Sequence, residues 1–188
     1  MRRSLASRRD SKLLNVSLLE PRVLQDRDIK SNLILLDQQF RNAASPQEAN
    51  LSAKLAMLEF CGWIEEAMDD IAEKCYARCV LNNENRKLCK EIVRSTYGFE
   101  YDLHFRRMLA GIIGQTGMER LERRANAVKI DLLRSSLSTM KSIRDSYAHT
   151  YLKGVTPTLS APSFILSQFG AIYDGLREVE ARIAERTW

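Results

Sequence analysis

The amino-acid sequence predicts an all-α fold, an antiparallel bundle of four to six helices. The 188 residues include only 8 Gly and 4 Pro, and this scarcity favours helices over a turn-rich β fold. Apolar residues recur at intervals of three and four along most of the chain, which is the period of a helix with one buried face. Because 45% of the residues are apolar, a chain of this length can bury a core as one domain.

We expect two regions, a basic N-terminal arm over residues 1–24, partly flexible, and a helical domain over residues 25–188. The arm carries four arginines before its first acidic residue, Asp10, and the whole chain has a net charge of +5. This charge suits a polyanionic partner. The chain has no apolar run of membrane-spanning length and no apolar signal-peptide region, so we expect a cytoplasmic protein without a membrane partner.

The first two helices have the clearest patterns. A helix over about residues 25–42 is predicted by the stripe Ile29, Leu33, Leu36 and Phe40. The segment Ser45-Pro46-Gln47-Glu48 has the cap, the proline and the glutamate of a helix start. A long helix should follow to about residue 81. Its predicted inner face consists of Leu51, Leu55, Leu58, Ile64, Met68, Ile71 and Cys75.

The second half of the chain should hold the remaining helices. We expect helices over about residues 84–96 and 100–113, with a joint at Tyr97-Gly98 between them. A glycine-bearing loop over residues 111–117 should precede a long element, straight or bent, from Met118 through Tyr147 to about Gly154. Pro162 should open the last helix. No strand is predicted before the glycines, so they do not indicate a phosphate-binding loop.

Neither the cysteines nor the first histidine indicates a metal or cofactor site. The cysteines at positions 61, 75, 79 and 89 lack the paired spacing of zinc ligands, and we expect them to pack as ordinary thiols. His104 is flanked by Leu103 and Phe105, so we expect a histidine at the edge of the core. The prediction is therefore of no metal and no cofactor.

One segment has the composition of a catalytic site. Arg144 and Asp145 precede His149 by five and four residues, and Tyr151 follows it by two. On a helix, Asp145 and His149 share one face, and Arg144 and Tyr151 share another. Arg144 and His149 are then about 140° apart around the helix axis. One helix therefore does not easily bring the arginine and the histidine onto one phosphate, whereas two copies about a two-fold axis could.

The segment Arg144-Asp-Ser-Tyr-Ala-His149 resembles the Arg-x4-6-His motif of the HEPN superfamily, whose members often carry a polar residue directly after the arginine. With Tyr151 it resembles the extended Arg-x4-His-x-Tyr form of HEPN toxins that are encoded beside a nucleotidyltransferase antitoxin. The resemblance implies an all-helical bundle and a homodimer whose composite cleft holds both motifs. It also implies RNA as substrate and an antitoxin or nucleotidyltransferase as a further partner.

These residue types suit RNA cleavage through attack of the 2′-OH on the adjacent phosphorus. The imidazole of His149 has the near-neutral pKa that proton transfer needs, and the guanidinium of Arg144 can bind two phosphate oxygens. Asp145 would orient the site, and Tyr151, Tyr147 and Ser146 would line it or take part in its regulation. We therefore expect a metal-independent endoribonuclease, acting as a toxin or defence effector.

Two other interpretations stay open from the sequence. In one, the chain is a non-catalytic HEPN module that binds RNA, a nucleotide or a partner protein. In the other, the segment is purely structural. Arg144 then pairs with Asp145 on a solvated face, Tyr147 and Tyr151 lie at the core edge, and His149 caps a helix end.

Overall fold

A computed structural model describes residues 24–148 and 159–185, and in this part of the chain every regular element is helical, as predicted. None of the helices in these ranges is long and apolar enough to cross a membrane. Residues 1–23 of the arm, His149, Tyr151 and the predicted helix end near Gly154 lie outside the described residues. The helices are α1 (Arg27–Arg41), α2 (Pro46–Cys79), α3 (Asn83–Ser95), a π-helical turn (Tyr101–Phe105), α4 (Arg106–Arg124), α5 (Ala127–Ala148) and α6 (Pro162–Ala184).

Helix α2 is the longest element, and α1 and α6 both pack against it. Its predicted start is confirmed, because the Ser45 hydroxyl accepts a hydrogen bond from the Glu48 N–H at 3.2 Å and Pro46 occupies the first helical position. The Glu48 carboxylate accepts a second bond from the Ala44 N–H at 2.8 Å. The chain turn before α2 is thus held by two side-chain caps.

The predicted inner face of α2 is wrong at its N-terminal end. Leu51, Leu55 and Leu58 are exposed, by 54%, 46% and 60%, and the core takes Ala53, Met57 and Phe60 instead. This part of α2 is apolar on two sides, so periodicity alone does not identify the buried one. The farther positions Ile64, Met68, Ile71 and Cys75 are buried as predicted.

The glycine-bearing stretch between residues 111 and 117 is not the predicted loop. The break predicted here is confined to Gly114, whose φ of 76° and ψ of 164° are not helical, and the residues on both sides of it are helical. The chain breaks again at Ala125 and Asn126, where the Asn126 side chain accepts a hydrogen bond from the Lys129 N–H at 3.2 Å. The single long element predicted from Met118 is therefore two helices.

Helix α6 packs against α5 and also contacts α1, α2 and α4. It begins at Pro162, as predicted, with Ala161 in the capping position. The contact with α5 is closest at Gly175, because a Cβ atom there would lie 2.5 Å from the Leu133 Cβ. Close packing of these two helices positions α5, which carries the Arg144 motif.

Candidate functional site

The end of α5 is tied to the chain that enters α6. Tyr147 is buried, and its hydroxyl donates a hydrogen bond to the Ser160 carbonyl at 3.3 Å. The neighbouring Leu159 N–H donates to the side-chain oxygen of Asn50 on α2 at 3.2 Å. Of the two motif tyrosines, Tyr147 thus lies at the core edge with its hydroxyl engaged, while Tyr151 lies outside the described residues.

Arg144 lies on the surface of the last described turn of α5, with about 40% of its side chain exposed. Its guanidinium carbon is 5.9 Å from the centre of the Phe99 ring, which is itself 2% exposed. This is within the range of a cation–π contact. The ring supports one side of the guanidinium, and the part of the side chain that stays exposed can meet an anion.

Asp145 binds two cations. Its carboxylate accepts a hydrogen bond from the Lys141 ammonium at 2.8 Å and lies 3.5 Å from the nearest Arg144 nitrogen. The hydrogen bond from Lys141 is the main reason why the pKa of Asp145 is lowered from its usual value. Asp145 therefore stays ionised at neutral pH and holds Lys141 beside Arg144 as a two-cation cluster.

The charge of Arg144 also reaches α2. Burial raises the pKa of the Cys61 thiol to about 12, and the positive charge of Arg144 opposes that shift. The thiol is protonated at neutral pH and is not a nucleophile. Cys75 and Cys89 are buried free thiols whose pKa values are also raised by burial. Within residues 24–148 and 159–185, no His, Cys, Asp and Glu side chains group as a metal site would require.

The segment between α3 and the π-helical turn supplies the Phe99 ring. Gly98 has a φ of 111°, and a Cβ atom there would lie 2.9 Å from the His104 imidazole. The Glu100 N–H donates a hydrogen bond to the His104 Nδ1 at 3.1 Å. His104 is half-buried at the core edge, as the sequence predicts. Its role is structural, because it supports the backbone that carries Phe99.

The structure thus brings together Arg144, Asp145 and Lys141 with Phe99, and places the exposed Ser146 on the same turn. The sequence analysis missed Lys141 and Phe99. Lys141 had a usable signal, because it lies four residues before Asp145, the spacing of an intrahelical ion pair. Phe99 had none, because its contact with Arg144 joins segments that are distant in the sequence.

Comparison of the chain with protein-family models, with curated proteins and with solved structures found no match.

Proposed function

We propose that the protein is a metal-independent endoribonuclease of the HEPN type. The observation that carries this proposal is the half-exposed guanidinium of Arg144, supported by Phe99 and placed five residues before His149. A buried structural arginine would be surrounded by acceptors. Among the described residues, the carboxylate that pairs with Arg144 is that of Asp145, at 3.5 Å. The Lys141 ammonium lies closer to the same carboxylate, at 2.8 Å.

In this proposal Arg144 binds the scissile phosphate through two oxygens and neutralises the charge that develops on it. Lys141 adds a second positive charge beside it. His149 takes the proton of the attacking 2′-OH or gives one to the leaving 5′-oxygen. Asp145 holds the two cations in place and shares a helix face with His149 if the helical register continues to that residue.

A homodimer belongs to the same proposal, because Arg144 and His149 would diverge by about 140° around one helix if the helical register continued to His149. Two copies would supply a composite cleft to one phosphate. An RNA-cleaving toxin or defence effector in the cytoplasm needs a regulator that restrains its activity. An antitoxin or nucleotidyltransferase partner acting on Tyr151 would be that regulator.

Cleavage of a mixed RNA substrate in the presence of EDTA tests the proposal. We expect activity in EDTA, and a loss of about 10²-fold or more in His149→Ala and in Arg144→Ala. The matched control is Arg134→Ala. Arg134 lies on the same helix with a similar exposure of 41%, and it also contacts an aromatic ring, Tyr101. Full activity in His149→Ala, or none in EDTA, would contradict the mechanism.

The alternative is a non-catalytic module that binds RNA, a nucleotide or a partner protein. The Lys141–Asp145 bond favours it, because the carboxylate that was expected to orient the imidazole already holds an ammonium group. The same variants distinguish the two functions. A binding module would bind RNA without cleaving it, would retain binding in His149→Ala and would lose it in Arg144→Ala.

A further inference from the structure

We propose that Tyr97 is a stacking site for an unpaired base of the RNA whose phosphate Arg144 binds. This inference rests on the proposed function and extends it to substrate recognition. Tyr97 lies between α3 and the π-helical turn, with 83% of the residue exposed. An exposed tyrosine ring presents an apolar face on which an unpaired base can stack.

The backbone that carries Tyr97 is held on both sides. Before it, the Thr96 N–H donates to the Val93 carbonyl at 3.1 Å, and the Thr96 hydroxyl donates to the Ile92 carbonyl at 2.8 Å. After it, Gly98 packs directly against the His104 imidazole. A ring on a fixed backbone loses little conformational entropy when a base stacks on it.

Tyr97 also lies near Phe99, the residue that contacts the two-cation cluster of Arg144 and Lys141. Phe99 lies two positions after Tyr97, so the Cα atoms of the two residues are at most about 7 Å apart. The Phe99 ring in turn contacts the Arg144 guanidinium. The exposed Arg94, in the last turn of α3, lies three residues before Tyr97. The segment that carries Tyr97 therefore has Arg94 before it in the sequence and Phe99, which contacts Arg144, after it.

This combination matches the chemistry of single-stranded RNA. Such RNA presents unstacked bases that stack on aromatic side chains, while arginine and lysine bind the backbone. Double-stranded RNA keeps its bases stacked inside the helix and offers no face to a single exposed ring. The site should therefore favour unpaired RNA and tolerate any base, since every base has a face that can stack.

Binding of short single-stranded 2′-O-methyl oligonucleotides tests the inference, because the modification removes the attacking hydroxyl. Fluorescence anisotropy gives the Kd for wild type, Tyr97→Ala and Tyr97→Phe at one salt concentration. We expect Tyr97→Ala to weaken binding about tenfold. Tyr97→Phe keeps the ring and should bind like wild type. The control is Leu81→Ala, which removes a side chain that is 86% exposed at the other end of α3.

A second series replaces each base in turn with an abasic residue. At one position the abasic oligonucleotide should bind wild type and Tyr97→Ala equally, because the ring then has no base to stack on. Thermal unfolding checks that Tyr97→Ala folds, as its exposure predicts.

The two proposals fail in different ways. If wild type cleaves RNA and Arg144→Ala does not, but Tyr97→Ala binds every oligonucleotide like wild type, the stacking site is refuted and the ribonuclease stands. An equal loss for intact and abasic oligonucleotides refutes stacking as well. A wild-type protein that neither binds nor cleaves RNA refutes both.

Discussion

Asp69 on α2 carries a carboxyl group whose pKa is raised from 3.8 to about 6. Burial is the main cause, and the negative charges of Glu73 and Glu65 on the same helix add to it. The folded chain therefore binds a proton between pH 4 and 6 that the unfolded chain releases. Stability from this group must rise as the pH falls from 7 towards 4, which is opposite to the usual behaviour of a carboxylate.

We expect Asp69→Asn to stabilise the protein at pH 7.5 by about 1–3 kcal/mol, because the amide removes a partly buried charge from an acidic surface. The gain should shrink below pH 6, where Asp69 in wild type becomes protonated. Urea unfolding of both proteins between pH 5 and 8 measures it. Asp70→Asn, at an exposed neighbouring position, is the control. Parallel stability curves for wild type and Asp69→Asn would contradict the raised pKa.

A comparison of Gly98 with Gly114 tests how much the contact with His104 holds the segment before the π-helical turn. Both have a positive φ, but a Cβ atom at Gly98 would also press on the His104 ring, whereas nothing lies within 4 Å of one at Gly114. We expect Gly114→Ala to destabilise by about 1 kcal/mol and Gly98→Ala by clearly more. Chemical denaturation compares the two. Equal losses would mean that the His104 contact contributes nothing.

The contact between α5 and α6 is the element on which the position of the Arg144 motif depends. A Cβ atom at Gly175 would lie 2.5 Å from the Leu133 Cβ and 3.1 Å from the Lys129 carbonyl oxygen. Neither neighbour is a flexible side-chain end. The two helices would have to separate to accept it.

We expect Gly175→Ala to destabilise the fold by about 1–3 kcal/mol through this overpacking. Gly170→Ala is the matched control in the same helix, since a Cβ atom there meets nothing within 4 Å. It should stabilise by up to about 1 kcal/mol, because alanine favours helix over glycine. Thermal unfolding gives both values, and a neutral Gly175→Ala would show that α5 can shift without loss.

Helix existence could be predicted from the sequence wherever one apolar face and a cap agree, as at Ser45–Glu48 and at Pro162. The errors have physical reasons. Leu55 and Phe60 lie in a stretch with two apolar sides, and the choice between the sides is made by packing against α1 and α6. One glycine with non-helical backbone angles is enough to interrupt a helix, so the break at Gly114 needs no loop.

The candidate site, like the fold, could be predicted only in part from the sequence. Arg144, Asp145 and the Lys141 pair follow from spacing on one helix. Phe99 does not, because its contact with Arg144 depends on how the segment before the π-helical turn lies against α5. Local pattern predicts which residues share a face, and tertiary packing decides what that face meets.

We expect the whole molecule to be a homodimer whose interface includes the range from about residue 131 to 153, which begins in α5. If each cleft draws on two chains, cleavage must follow the dimer population. We expect light scattering over a range of concentrations to give twice the chain mass, and the specific rate to fall where the dimer dissociates. A monomer at micromolar concentration that cleaves at the full rate would refute the composite cleft.

The basic arm should add affinity without chemistry. Arg2, Arg3, Arg8 and Arg9 would provide phosphate contacts of the salt-dependent, sequence-independent kind. Deleting the first nine residues should flatten the dependence of RNA affinity on salt and leave the cleavage pattern unchanged. Gel analysis of the products checks the second point, and a new pattern would mean that the arm shapes the cleft.

The π-helical turn has a consequence for how such a molecule can diverge. The Phe105 N–H bonds to the Glu100 carbonyl at 3.2 Å, five residues back, so this turn holds one residue more than an α-helical turn. One residue rotates everything before it by about 100° about the helix axis. A homologue lacking that residue would keep the α4 core and turn a different side of the Tyr97 segment outward. Insertion or deletion of a single codon is thus a route by which such proteins could exchange substrates while conserving their bundle.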